Sequence, residues 1–145
     1  MDGCIFCRIL QGDGEAAVAY EDDAHICIMD RHPINPGHVL VVPKKHYATL
    51  FEMPPVDVGK LFILVAKVAK TIASVMNADG INIGQNNGIA ARQRVFHVHV
   101  HVIPRYSQDT SAGHFPTRRE AEIDELKRTA SLIQSDMTGT KQAST

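Results

Sequence analysis

Residues 97–105 read HVHVHVIPR, so that three histidines alternate with three valines before Ile-Pro-Arg. Successive side chains of a β-strand point to opposite faces, which places His97, His99 and His101 on one face and the valines on the other. The valines predict a core-facing row, because β-branched residues suit a half-buried pleat. Pro104 lacks an N–H group and is expected to end the strand pairing.

Three interpretations of the histidine row are open. A solvated face without chemistry is disfavoured by the high histidine content, eight in 145 residues. One metal held by all three is disfavoured by spacing, since residues four apart on a strand are separated by about 13 Å and metal–nitrogen bonds are about 2.0–2.1 Å. In the third interpretation each histidine has a different role: one binds a metal or orients its neighbour, one acts as nucleophile or base, and one donates to the substrate.

Length predicts a single domain over residues 1–135. Residues 136–145 carry no apolar pattern and are expected to be disordered, and the order of strands and helices described below predicts the α+β class. Apolar residues make up 44% of the chain, and the net charge of −1 excludes the basic field typical of nucleic-acid binding. There is no apolar run long enough to span a bilayer, and the first residues lack the order of a signal peptide. We therefore expect a cytoplasmic protein with neither membrane nor nucleic-acid partners.

Cys4 and Cys7 form a C-x2-C pair near the start of the chain. The pair is compatible with a redox site, half of a metal site, or two small buried side chains. A zinc site would need histidines from elsewhere, because there is no second C-x2-C pair. His46 follows two lysines, and its spacing alone leaves a surface position and a ligand role open.

Period-2 patterns and turn residues predict an antiparallel meander sheet. Its strands are expected at residues 17–20, 25–29, 38–42 and 80–85, with the histidine strand last. Cys27, inside the second strand, is expected to be a buried core thiol.

Two helices are predicted from three- and four-residue apolar spacing. The longer helix should start at Pro54–Pro55 and end near Asn77, and the second lies in the C-terminal part. Thr117 and Glu120 form a capping box before that second helix. The loop at residues 89–94 precedes the histidine strand and is well placed to hold a polar ligand.

Taken together, these motifs resemble the histidine triad (HIT) superfamily of nucleotide hydrolases and transferases. The resemblance is carried by CIFCRI, the Asp30 loop, PGHVLVVPKKH, GQNNG and the Q-x-VFHVHVHVIPR block, in the usual order of the family. It covers nearly the whole chain and is strongest to prokaryotic-type proteins of the Hint branch. It implies the HIT-like α+β fold and, by analogy only, a homodimer.

The resemblance implies catalytic roles for four residues. His99 is expected to attack the α-phosphorus and form a nucleotidyl-histidine intermediate. His101 would donate to the phosphate or to the bridging atom, and Gln93 would contact the same phosphate region. His38 matches a family histidine that supports the triad strand.

Nucleotide binding and zinc binding are implied by further matching positions. Asp30 is expected to bind the ribose hydroxyls, Ile28 to line the base pocket, and Asn86 to contact the phosphate or ribose. Many members of the family also carry a structural zinc ion, and four positions match its ligands, namely Cys4, Cys7, His46 and His97. Two thiolates and two imidazoles would close a tetrahedral site, so this zinc should be structural.

Two positions depart from the family pattern. Arg92 stands where glycine is usual, and Arg94 stands where a small hydroxyl residue is usual. The arginines would crowd the phosphate site, strengthen phosphate binding through charge-assisted hydrogen bonds, or point to solvent, and the sequence does not choose among these.

The expected activity is cleavage of a purine nucleoside phosphoramidate at its α-phosphate. A Fhit-like cleavage of dinucleoside polyphosphates and a nucleotide-binding regulatory role with little turnover are the alternatives. The retained His99, His101 and Gln93 favour chemistry, because binding alone needs no nucleophile. A metalloenzyme that uses the H-x-H pair would lose its activity with a chelator, whereas a triad enzyme would not need metal for its chemistry.

Overall fold

A computed structural model describes residues 3–109 and 118–139 of the chain. The elements, in chain order, are α1 (Ile5–Leu10), β1 (Val18–Glu21), β2 (His25–Met29), β3 (Val39–Pro43), α2 (Pro55–Val75), β4 (Gly80–Gly84), β5 (Val100–Arg105) and α3 (Ile123–Met137), with 3-10 turns at Leu50–Glu52 and Ile89–Ala91. The strands form one antiparallel sheet in the order β1-β2-β3-β5-β4. The predicted α+β class is confirmed, although β5 lies between β3 and β4 and so departs from a simple meander.

Strands β2 and β3 are buried along their whole length, because helices pack on both faces of this part of the sheet. One face packs against α2 and α3 and includes the valines of β5, and Cys27 is fully buried in this core. That burial raises the pKa of the Cys27 thiol to about 12, as expected for a core thiol. The other face packs against α1 through the apolar residues Cys4, Phe6, Ile26, Ile28, Leu40 and Val42.

Helix α2 begins where the proline pair predicted, with Pro55 in its first turn. Its core-facing side chains recur at three- and four-residue steps and are buried, namely Leu61, Leu64, Val65, Val68 and Ile72. The described chain contains no helix that is both long enough and apolar enough to cross a membrane.

Strand β5 corrects two details of the sequence prediction. Its ladder begins at Val100, because the Val98 N–H bonds to the carbonyl of Tyr47 and not to a sheet partner. Pro104 does not end the pairing but lies opposite Ile81 of β4. The pairing of β3 with β5 ends at Val102. Pro104 lies beyond that point, so no residue of β3 requires the N–H group that proline lacks.

Helix α3 packs against β1 and α2. It continues to Met137, two residues past the expected domain boundary at 135. Residues 140–145 of the expected tail and Thr117 lie outside the described residues. The expected capping box of Thr117 and Glu120 does not open α3, because the helix begins at Ile123 with Glu122 as its N-cap.

Candidate active site and metal centre

The histidine row lies on the sheet face that α1 covers. The cross-strand register places Ile28 of β2, Leu40 of β3 and His101 of β5 side by side on this face. The neighbour of His101 on the edge strand is Gly84, beside which there is open space. The sheet therefore presents an apolar floor on one side of His101 and room for a ligand on the other.

His99 is oriented by the backbone of the preceding histidine. Its Nδ1 lies 2.7 Å from the carbonyl oxygen of His97, and because a carbonyl only accepts, Nδ1 carries the proton. The Nε2 atom of the neutral ring then has a free lone pair. Burial lowers the pKa of His99 and so favours this neutral form. Phe6 of α1 packs on the ring, with 5.1 Å between centroids.

His101 receives its tautomer through a chain of two hydrogen bonds. The N–H of Ile34 donates to Nδ1 of His38 at 3.0 Å, which leaves the proton of His38 on Nε2. That Nε2 lies 2.9 Å from Nδ1 of His101 and donates to it. His101 therefore carries its own proton on Nε2, where it can be given to a ligand.

Both members of this pair are neutral near pH 7. Burial is the main cause that lowers the pKa of His38 to about 3 and that of His101 to about 4. Asp30 acts in the opposite direction on both rings, and Arg118 adds to the lowering. The hydrogen-bond chain requires neutral rings, so the electrostatics and the geometry agree.

Asp30 is a buried carboxylate beside the two histidines. One oxygen accepts the N–H of His32 at 2.8 Å, and the other accepts Nη2 of Arg118 at 2.7 Å. The second oxygen also lies 3.4 Å from Nε2 of His38 and 3.8 Å from Nδ1 of His101. The cluster of Asp30, His38 and His101 resembles a three-ligand metal site, but the facing nitrogen of His38 carries a proton and has no lone pair for a metal.

Four side chains from distant parts of the chain converge beside α1 to form a candidate metal centre. They are Cys4, Cys7, His46 and His97, whose ligand atoms lie within 4.8 Å of one another. Sulfur–nitrogen distances are 3.4–3.6 Å, and the two Nδ1 atoms are 3.1 Å apart. A tetrahedral zinc site has sulfur–nitrogen distances of about 3.6 Å and nitrogen–nitrogen distances of about 3.3 Å. The donor set and its spacing therefore fit zinc.

A backbone carbonyl also sets the tautomer of His97. Its Nε2–H donates to the carbonyl oxygen of Pro43 at 2.7 Å, which leaves Nδ1 free for a metal. Burial lowers the pKa of His97, and it raises the pKa of the Cys7 thiol, to which Cys4 adds. A bound cation would oppose the second shift, because it stabilises the thiolate.

Gln93 is buried, but its side chain serves the loop that carries it. Its oxygen accepts the N–H of Gly88 at 2.7 Å, and its amide nitrogen donates to the carbonyls of Ala48 and Val95. Both amide protons are thus used, and a phosphate contact would require a different rotamer. Asn86, the other predicted amide, has an exposed side chain.

The two unusual arginines are both exposed on the loop before the histidine strand. Neither guanidinium forms a hydrogen bond or an ion pair with another residue in the described part of the chain, which supports the solvent-facing interpretation. Arg92 has a φ of 66° and a ψ of 28°, the left-handed conformation that favours glycine. The backbone therefore explains why glycine is usual at this position.

The sequence analysis missed Phe6 and Arg118 as components of the site. Phe6 lies inside the CIFC motif, of which the sequence analysis interpreted only the two cysteines. Arg118 follows Asp30 by 88 positions and lies inside the proposed Thr117–Glu120 capping box, a motif that assigns it no role, so no local signal pointed to it.

Sequence comparison matches residues 11–108 to the HIT domain. An adenylylsulfatase of Arabidopsis thaliana is 42% identical over 106 residues, which are 73% of this chain and 54% of the relative, so the chain spans about half of that protein. An uncharacterised HIT-like protein of Methanocaldococcus jannaschii is 42% identical over 85% of this chain and 95% of its own. An adenosine 5'-monophosphoramidase of Schizosaccharomyces pombe is 36% identical over 76% of this chain and 80% of its own.

Solved structures show the same fold. A hypothetical histidine triad nucleotide-binding protein of Sulfolobus tokodaii superposes with a TM-score of 0.86 at 32% identity and covers 95% of this chain and 94% of its own. A zinc-bound histidine triad family protein of Mycobacterium smegmatis has a TM-score of 0.75 at 34% identity and covers 99% of both chains.

Proposed function

The chain belongs to the HIT family, and on that premise we propose that it is a nucleotide hydrolase in which His99 attacks the α-phosphorus of a purine nucleoside conjugate. One observation carries the proposal. The carbonyl of His97 holds the proton of His99 on Nδ1, so that a neutral Nε2 lone pair is available on a rigid strand.

The proposed reaction has two steps. In the first, Nε2 of His99 forms a bond to phosphorus while the bond from phosphorus to the leaving group breaks. His101 presents Nε2–H and would protonate the leaving atom or bind the phosphate oxygens. In the second step water displaces His99 from phosphorus and gives a proton to Nε2 of His101, which releases the nucleoside monophosphate and restores both imidazoles. His38 supports this chemistry by holding His101 in the donor tautomer.

Four further residues are proposed to bind the nucleotide. Ile28 lies in the apolar floor next to Leu40 and would contact the base. Asp30 would accept the ribose hydroxyls on the lone pairs that its bonds to His32 and Arg118 leave unused. Gln93 would reach the phosphate only by giving up its present backbone partners, and Asn86 is exposed and free to turn towards a ligand.

The leaving group is the least constrained part of the proposal. The names of two relatives, a monophosphoramidase and an adenylylsulfatase, share an adenylyl group and differ in what departs from it. We propose a phosphoramidate as the first substrate class and an adenylyl sulfate as the second. Cleavage of dinucleoside polyphosphates remains an alternative that no observed contact favours.

We further propose a structural zinc ion and a homodimer. Cys4, Cys7, His46 and His97 would hold the ion, which would fasten α1 to the segment that precedes His99. All four ligand positions would be filled by protein, so the ion would stabilise the fold and leave the reaction to the histidines. Strand β4 lies at the sheet edge with exposed residues, and pairing with a second copy would cover that edge.

The proposal is tested by intact-protein mass spectrometry after brief mixing with an adenosine phosphoramidate. We expect a transient adduct of about 329 Da on the wild type and none on His99→Ala. His32→Ala, which removes an exposed histidine, is the matched control and should form the adduct. Equal hydrolysis by the wild type and His99→Ala would refute the nucleophile assignment. Binding of the nucleotide without turnover by any protein would favour the regulatory role.

A further inference from the structure

We propose that Arg118 is a positioning residue of this site: it engages Asp30 so that the His38–His101 pair stays neutral and His101 keeps its proton on Nε2. Arg118 precedes α3, and its hydrogen bonds go to Asp30 and to the carbonyl of His32. It acts on the histidine pair through Asp30 and also as a nearby cation.

The guanidinium is docked on the Asp30 loop by more than one contact. Nη2 lies 2.7 Å from a carboxylate oxygen of Asp30, and Nε donates to the carbonyl of His32. Three residues further on, the N–H of Ala121 donates to the carbonyl of Arg31 at 2.9 Å. These bonds hold the backbone next to Arg118 against the loop, so that the ion pair has a defined geometry.

Arg118 competes with the two histidines for one carboxylate oxygen. That oxygen is 2.7 Å from Arg118, but 3.4 Å from Nε2 of His38 and 3.8 Å from Nδ1 of His101. A strong charged hydrogen bond is about 2.7–2.9 Å long. The carboxylate therefore forms such a bond with Arg118, whereas its distances to the two imidazole rings are longer.

Without Arg118 this balance would change. The charged or titratable groups that face His38 are Asp30, His101 and Arg118, and those that face His101 are His99, Asp30 and Arg118. Loss of the guanidinium leaves Asp30 as the only charged group in that set, and a nearby carboxylate favours imidazolium.

Protonation of the pair would disrupt its geometry. A proton added to Nδ1 of His101 would face the proton already on Nε2 of His38, since the backbone N–H of Ile34 occupies the other nitrogen. Two donors cannot bond to each other, so the 2.9 Å contact would be lost together with the orientation of His101. Arg118 thus protects both the charge state and the position of the donor.

The test is a nitrogen-15 NMR titration of the histidine side chains in Arg118→Gln. We expect the pKa of the His38–His101 pair to rise, because Asp30 then faces the rings without its cation, so that imidazolium signals appear at a higher pH than in the wild type. Arg119→Gln removes the adjacent exposed arginine and should leave the titration unchanged. Arg118→Lys keeps the charge and should restore most of the wild-type behaviour.

The double variant Asp30→Asn, Arg118→Gln distinguishes this mechanism from a general disturbance. Removal of the carboxylate should return the pair to neutrality, because nothing negative then faces it. An unchanged titration in Arg118→Gln, or a raised pKa that persists in the double variant, would overturn the proposal. The catalytic meaning rests on the proposed function, but the titration needs no substrate, so an inactive protein with the expected shifts would refute only the proposed function.

Discussion

Replacing Arg92 with glycine should stabilise the protein. The residue adopts φ 66°, and its exposed side chain has no bonded partner in the described residues. The left-handed conformation costs a residue with a β-carbon about 1–2 kcal/mol. Glycine escapes that cost but loses about 0.5–1 kcal/mol through the greater freedom of its unfolded chain. The net gain in the free energy of unfolding should lie between about 0 and 1.5 kcal/mol, centred near about 0.75 kcal/mol.

The assay is urea denaturation of Arg92→Gly and two controls at fixed protein and zinc concentrations. Arg92→Ala loses the same charge but keeps a β-carbon, so its stability should stay near that of the wild type. Arg94→Gly, at a position outside the positive-φ region, should lose about 0.5–1 kcal/mol. A value for Arg92→Gly at or below that of Arg92→Ala would refute the strain argument. An increase in KM for Arg92→Gly, with stability gained, would show that the side chain contacts substrate after all.

Three further predictions concern the metal, the acid limb of stability and the sheet edge. Purified protein should carry about one zinc ion per chain by elemental analysis, and Cys7→Ser should lose the ion and melt at a lower temperature; unchanged zinc content would contradict the site. The pKa of His38 is about 3 and that of His101 about 4, so below about pH 6.5 the unfolded chain binds more protons than the folded chain. The free energy of unfolding should therefore decrease as the pH is lowered below about 6.5, by up to about 1.4 kcal/mol per pH unit for each histidine. Urea denaturation at several pH values should show this slope, and His32→Gln should retain it. A free energy of unfolding that does not change with pH in this range would refute it. Ile83→Lys, on the edge strand, should convert a dimer to a monomer in light scattering, and an unchanged mass would exclude pairing through β4.

Local sequence pattern was sufficient for the features that depend on neighbouring residues. The alternation in HVHVHV predicted the two faces of the strand, and the apolar spacing after Pro55 predicted α2. The resemblance to HIT proteins supplied four residues that converge in space, from Cys4 to His97. These successes share a cause, since period and motif are properties of short segments.

Features that depend on distant segments escaped the sequence analysis. Pro104 continues its strand because β3 pairs no further than Val102, which is a property of another strand. The amide of Gln93 bonds to the backbone of Gly88, Val95 and Ala48, and the last of these lies 45 positions away in the chain. Arg118 reaches Asp30 only when the chain after β5 folds back.

Main-chain atoms set the tautomers of the three histidines. The carbonyl of Pro43 selects the metal-facing tautomer of His97, the carbonyl of His97 selects that of His99, and the N–H of Ile34 selects that of His101 through one intermediary. Substitution at Pro43 or Ile34 changes a side chain but leaves these atoms in place, proline at Ile34 excepted. A one-residue insertion or deletion displaces them. These segments should therefore tolerate substitutions but not insertions or deletions, even where none of their side chains touches the reacting groups.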